Sequence, residues 1–272
     1  MKILEQEIGL LMLVQKRTKL LFDQLVEKYE TIDFIKDDPI SFPHRYRDRD
    51  NIVTAGFIAA MLAQGRRTAI MKNLTELFNF IGPSPHDYIK NFDYKSEYKK
   101  LSFFKHFAYR NIAACDITPF FYIIHQVLGE YGSLYNFFKS SYFKGDFHKF
   151  QSKVMDLLYG VKLPADLEFT QSLKMILSHP SKGSSCKRLN MFFRWVVRKS
   201  KVDFGVFDFI SPSELIIPLD THVSKLSREF GLTERKNDNI KTAMEITNNL
   251  KKMDKEDPIK YDFALFGYGI NN

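Results

Sequence analysis

The chain has 272 residues, 44% of them hydrophobic and 15% aromatic, and carries 40 Lys and Arg against 32 Asp and Glu, a formal net charge of +8. That composition supplies a sizeable core, as one large domain or two small ones, and needs no covalent staples. The only cysteines, Cys115 and Cys186, are far apart and lack paired spacing, which excludes a disulfide framework, a four-thiolate metal site and an iron–sulfur cluster.

Along the chain, the apolar run 8–14 is preceded by Glu5 and Glu7 and followed by Lys16 and Arg17, with no small-residue cleavage site. It does not read as a signal peptide and is too short to cross a bilayer. The expectation is an amphipathic helix, its apolar side continuing through Leu20, Leu21 and Leu25 and docking on the body of a cytoplasmic protein. His44, Arg45 and Tyr46 follow Phe42-Pro43 and either bind phosphate or lock this N-terminal arm in place. Asp50-Asn51 is expected to cap a helix through Phe57, Ile58, Met61 and Leu62. A second helix after Gly65 carries Ile70, Leu74, Leu77 and Phe78 at helical spacing, and Gly82-Pro83 stops it. The stretch 92–109 interleaves Phe103, Phe104, Phe107 and Tyr109 with lysines, a composition for core packing before base stacking. Segments 117–128, 133–138, 147–158 and 167–177 read as helices. Ser211-Pro212-Ser213-Glu214 offers a further helix start, and Asp257-Pro258 opens the last helix, through Tyr261, Leu265 and Phe266. Short helices joined by short turns predict an all-α body.

The pI near 9.2 favours a polyanionic partner, since basic surface attracts phosphate and releases counterions on binding. The basic residues cluster: His44, Arg45, Arg47 and Arg49; Arg66 and Arg67; then Lys182, Lys187, Arg188, Arg194, Arg198, Lys199 and Lys201. Within the last cluster, Pro180 and Gly183 predict a tight turn between a helix ending near Leu177 and one starting at Ser184 or Ser185, whose free amides suit an anion. Lys187 and Met191, four apart, then share a helix face. Further on, the apolar run Leu215-Ile-Ile-Pro-Leu delivers Asp220 to the start of a helix through Val223, Leu226 and Phe230. An aspartate there is an N-cap, and the same position holds a carboxylate at the wall of a cleft. An amine and a carboxylate brought together suit cleavage of a bond between sugar and nucleobase: the amine attacks C1′ and the carboxylate stabilises the positive charge growing there.

The segments Phe42-Pro-His-Arg-Tyr, Gly183-Ser-Ser-Cys-Lys-Arg-Leu-Asn-Met, Pro218-Leu-Asp-Thr-His-Val and Asp257-Pro-Ile-Lys-Tyr-Asp-Phe-Ala-Leu-Phe-Gly resemble a bacterial family of conserved proteins of unknown function, over nearly the whole chain. The back half in turn resembles the helix-hairpin-helix DNA glycosylase superfamily, nearest its archaeal 8-oxoguanine branch, where the interval between lysine and aspartate is also long. That resemblance implies two helical subdomains flanking a basic cleft, residues 50–205 ending in the hairpin and the Lys187 helix, and residues 1–49 plus 206–272 formed by both chain ends. It implies Lys187 as Schiff-base nucleophile, Asp220 as catalytic carboxylate and His222 as a phosphate contact. Leu62-Ala-Gln-Gly-Arg-Arg is similar to a superfamily segment whose glutamine fills the hole left by an extruded base, which gives that role to Gln64 and the opposite strand to Arg66 and Arg67. Lys182, Gly183, Ser184 and Arg188 would meet the DNA backbone at the hairpin tip. Met191 and Asp262 would border the base pocket, although Asp262 equally suits pairing with a lysine or arginine. The usual hairpin has a Pro-Gly-x-Gly core, and the single Gly183 departs from it.

The expectation is therefore a base-excision enzyme with strand-nicking activity, nucleoid-associated, acting on damaged double-stranded DNA without cofactor, metal or membrane. The competing expectation is a non-catalytic binder of damaged or branched DNA on the same scaffold.

Overall fold

A computed structural model describes residues 2–101 and 114–271, with side chains described for 16–101 and 116–270. Fourteen helices occur in these segments: α1 (Lys2–Tyr29), α2 (Ile32–Lys36), α3 (Arg49–Leu62), α4 (Arg67–Ile81), α5 (Pro85–Lys90), α6 (Tyr94–Leu101), α7 (Ala114–Tyr131), α8 (Leu134–Ser141), α9 (Phe147–Tyr159), α10 (Gln171–Ile176), α11 (Lys187–Val197), α12 (Thr221–Glu229), α13 (Ile240–Lys251) and α14 (Asp262–Asn271). Among the described residues there is no β-strand, and no helix is long and apolar enough to cross a membrane. Phe103, Phe104, Phe107 and Tyr109 lie outside the described residues.

Caps fix most helix starts. Asp48 Oδ1 accepts from Asn51 N at 2.9 Å and starts α3 slightly earlier than the Asp50-Asn51 expectation. Ser133, Asp146, Thr170, Asp220 and Asn239 do the same for α8, α9, α10, α12 and α13, each satisfying an amide that has no intrahelical acceptor. Gly82 ends α4 at φ 84°, a left-handed conformation that a Cβ disfavours. The 167–177 expectation shrinks to α10, because the Thr170 hydroxyl takes the Leu173 amide at 3.0 Å and begins the helix there. The two proline-led starts are first 3-10 turns: Pro212–Glu214, closed by a capping box, and Pro258–Tyr261, which runs into α14.

The core centres on α3 and α11. Every residue of α3 from Ile52 to Leu62 is buried, as is every residue of α11 from Leu189 to Val197, the pattern of helices enclosed on all sides. Phe57 meets Phe192 edge-on at 5.3 Å, and Phe138 packs on both Phe192 and Phe193. Such offset ring pairs add roughly 0.5–1.5 kcal/mol each beyond their buried area.

Elsewhere α14 packs against α1 and α12. Gly267 permits the approach to α1, since a Cβ there would sit 2.4 Å from Tyr29 Cγ. Phe22 and Leu25 carry the inward side of α1, while Leu20 is 61% and Leu21 38% exposed. The inward side is therefore narrower than the expected stripe through Leu20, Leu21 and Leu25: only Leu25 of the three is buried, together with Phe22 three positions before it. Between α1 and α3 the arm is pinned by His44, whose Nε2 lies 2.8 Å from Val202 O, and by Tyr46, whose hydroxyl donates to Gly82 O at 3.4 Å. Of the two expectations for this cluster, these bonds match the lock.

Candidate active site

Lys187 opens α11 and Asp220 caps α12. The Asp220 Oδ1 accepts from Val223 N at 2.9 Å, which points the other oxygen outward, and Oδ2 lies 3.9 Å from Lys187 Nζ. Met191, one turn along α11, brings its sulfur to 3.5 Å from the same Nζ. Both charged groups are partly screened from water, with side-chain exposures of 31% for Lys187 and 20% for Asp220. They share the wall of a cavity of about 20 Å³ with Met191, Pro218, Arg194 and Asp262, room for about one water.

Asp262, the first residue of α14, is fully enclosed and accepts from Arg194 Nη1. Burial pushes its carboxyl up to about 6 in spite of Arg194, and the neighbouring Asp220 charge adds to the rise. Arg194 in turn lies 3.4 Å from Asp203, and Arg198 binds Asp203, Asp257 and Glu30. A buried network of two guanidiniums and four carboxylates therefore backs the cavity. Asp203 has its pKa raised by burial, against the pull of both arginines. The sequence places Arg194 and Arg198 in a basic patch; enclosure of α11 turns both inward, where only pairing makes a charge tolerable.

Arg188 is likewise directed into the protein. It donates to Met61 O at 2.9 Å, to Gln64 Oε1 at 3.1 Å and to Met175 O, so it ties Gln64 and the ends of α3 and α10 together. Its positive charge is held by these acceptors, and Gln64 is engaged with it. Arg67 donates to Asp37 O, whereas Arg66 is exposed at the start of α4. At the hairpin tip, a 3-10 turn (Pro180–Lys182) is closed by Gly183 at φ 84°, whose amide donates to Pro180 O at 3.0 Å and whose carbonyl accepts from Ile240 N at 3.3 Å. Ser184 pairs with Asn239, and exposed Lys182 lies over the Tyr159 ring at 5.1 Å. Helix α11 starts at Lys187, later than the Ser184 or Ser185 expectation, because Cys186 occupies a left-handed conformation (φ 48°, ψ 42°) and breaks the run. His222 stands beside Phe266, ring centroids 6.4 Å apart.

The structure thus brings Lys187, Met191, Asp220 and Asp262 to one cavity and leaves Gln64, Arg66, Arg67, Lys182, Gly183, Ser184, Arg188 and His222 outside its lining. Two residues that sequence reasoning missed also line it: Phe34 of α2 and Asp38 of the following turn, facing Phe266 of α14. The Asp37-Asp38-Pro39 sequence carries a cap signature, which marks a turn but says nothing of the cavity beside it. Among the described residues no cluster of three or more His, Cys, Asp or Glu side chains is placed to hold a metal ion.

Residues 38–271 match the model of a family described as protein of unknown function (DUF2400), and the chain belongs to that family. No curated protein and no solved structure matches it.

Proposed function

We propose that this protein is a DNA glycosylase with an associated abasic-site lyase activity, built on a helix-hairpin-helix glycosylase scaffold of two helical bodies, residues 50–205 and residues 1–49 with 206–272. The observation that carries this reading is the 3.9 Å approach of Lys187 Nζ to Asp220 Oδ2 on one cavity wall, from positions 33 apart (220 − 187).

In the proposed reaction the basic surface captures the duplex and a damaged nucleotide is rotated out of the stack, which costs a few kcal/mol. The lysine amine, having given up its proton, attacks C1′. The C1′–N bond breaks, its electron pair leaves with the base, and the base takes a proton. Asp220 faces the cationic sugar and stabilises it without reorganising, since its other oxygen is fixed by the helix cap. Loss of the amine proton and ring opening give an imine. Removal of a C2′ proton then expels the 3′ phosphate and nicks the strand.

Lys182 and Arg66, both exposed, are assigned to phosphate contacts. His222 and Ser184 are assigned to the same backbone contacts, whereas Gly183 and Arg67, also expected there, spend hydrogen bonds on Pro180 O and Asp37 O. The damaged base is assigned to the oxidised purines by the scaffold analogy.

Borohydride trapping on an abasic duplex tests the reading: wild type is expected to cross-link and Lys187→Ala to lose the cross-link. Trapping that survives in Lys187→Ala refutes the nucleophile. A second reading, a binder of damaged or branched DNA without turnover, is favoured by the engagement of the Gly183 amide within its own turn. Binding without base release or trapping across a lesion panel selects it.

A further inference from the structure

The cavity beside Lys187 has about 20 Å³ of room, the space of one water molecule, and three carboxylates line it with the amine. Asp220 commits Oδ1 to the α12 cap, and in the glycosylase reading its charge is needed opposite the cationic sugar. Asp38 commits Oδ1 to Ile40 N at 3.0 Å. Asp262 differs from both: it is 4% exposed and is held by Arg194 alone, through Oδ2. Burial lifts its carboxyl to about 6 and the Asp220 charge adds to the rise, while Arg194 and Lys187 oppose it. The charged groups facing it are thus Arg194 and Lys187 from α11 and Asp220 from the start of α12, with Asp38 and Asp203 acting on the same Arg194 guanidinium. Next along α14, Arg198 lies over the Phe263 ring at 5.5 Å and is itself held by Glu30, Asp203 and Asp257. A secluded carboxylate beside an ammonium that must lose a proton is suited to receive it, because enclosure favours the neutral acid and amine over the charged pair.

We propose that Asp262 is the proton acceptor for Lys187, reached through one water held in the cavity they share. The inference rests on the glycosylase reading and names the group that readies its nucleophile. An N–H bond of the ammonium breaks and its proton passes to the water, while an O–H bond of the water breaks and that proton passes to the Asp262 carboxylate. The water is regenerated. Ammonium and carboxylate become amine and carboxylic acid, so the total charge is unchanged, and the freed electron pair on nitrogen attacks C1′. Hydrolysis of the imine releases the lysine, and the same path returns the proton.

An acceptor changes how the rate depends on pH, which a structural role does not. Without one, the reactive species is the small fraction of neutral amine, which grows about tenfold per pH unit below the lysine range. With one, ammonium and carboxylate together are the reactive state, and the rate is level once the acid has ionised, near pH 6. Full-length protein in excess is mixed with duplex carrying a preformed abasic site across about pH 5 to 9. Aliquots quenched in borohydride time the formation of the imine. Wild type is expected to rise to about pH 6 and then stay level. Asp262→Asn keeps an amide oxygen for Arg194 and loses the acceptor, so its rate should lie roughly 10²-fold below wild type near pH 7 and climb about tenfold per pH unit until the two meet near pH 9. Asp38→Asn should keep the level profile.

A shortfall in Asp262→Asn that is the same at every pH marks a structural role and overturns the proposal. So does a pH-dependent shortfall that appears in Asp38→Asn instead. The wild-type profile decides the matter even where Asp262→Asn does not fold, because a rate that climbs through neutral pH without levelling also overturns it. In each of these results trapping by wild type leaves the glycosylase reading standing. Wild type that gives no borohydride-trapped product at any pH overturns that reading, and this inference falls with it.

Discussion

Replacing Arg188 with alanine distinguishes a structural clamp from a DNA contact. Its guanidinium donates to the carbonyls of Met61 and Met175, each one residue from the end of its helix. Terminal helix carbonyls lack intrahelical partners, so one side chain closes α3 and α10 together. Two hydrogen bonds from a charged donor contribute about 3–6 kcal/mol. Water entering the adjoining cavity of about 170 Å³ offsets part of this, leaving an expected loss of roughly 3–4 kcal/mol. At about 2–4 °C per kcal/mol for a chain near this size, the thermal midpoint should fall by roughly 6–16 °C. Arg188→Lys keeps the charge but not the fork that reaches both carbonyls, and should lose about half as much. Differential scanning calorimetry gives the midpoints, and DNA binding across a salt series gives the electrostatic slope. A phosphate contact behaves in the opposite way: stability stays within about 0.5 kcal/mol while the salt slope drops by about 1. That outcome would refute the clamp.

Asp220→Asn keeps an acceptor for Val223 N, so its urea midpoint should match wild type within about 0.5 kcal/mol, whereas Asp220→Ala loses about 1 kcal/mol with the cap. In single-turnover assays both should release base roughly 10²–10³ times more slowly, the scale of a removed electrostatic stabiliser. Asp262 gives a pH dependence. Its carboxyl titrates near 6 folded against 3.8 ordinarily, so between those values the native state holds more protons and this group's contribution to stability falls as pH rises. The two-unit difference bounds the effect at roughly 2–3 kcal/mol. Urea unfolding at pH 4 and pH 7 should show this fall in wild type and lack it in Asp262→Asn, and equal slopes in both would contradict the assignment. Gly267→Ala forces a methyl into the Tyr29 ring and should destabilise by about 1–3 kcal/mol, read as a lower thermal midpoint.

The sequence makes local relationships legible. The cap at Asp220 and the shared face of Lys187 and Met191 follow from offsets of three and four residues, and both are present. Burial is harder to read, because it depends on partners remote in the chain. Arg194 and Arg198 read as part of a basic patch, yet Leu189 to Val197 is enclosed on every side, and the partners Glu30, Asp203, Asp257 and Asp262 are scattered through the sequence. The apolar density of Met191-Phe-Phe-Arg-Trp-Val-Val is the available signal, since an arginine inside such a run must be either paired or misplaced. Phe34 and Asp38 escape for a related reason. Their segment shows an ordinary turn signature, and only the fold lays it beside α14, more than two hundred positions later.

The cavity's walls come from widely separated stretches: Phe34 and Asp38 early, Lys187 and Asp220 in the middle, Asp262 and Phe266 late. During synthesis the chain emerges from the ribosome in that order. Lys187 is therefore outside the tunnel while α14 is still inside, and a nascent or prematurely terminated product carries the amine without the wall that Asp262 and Phe266 supply. A cavity of this construction closes only once translation has delivered its last helix.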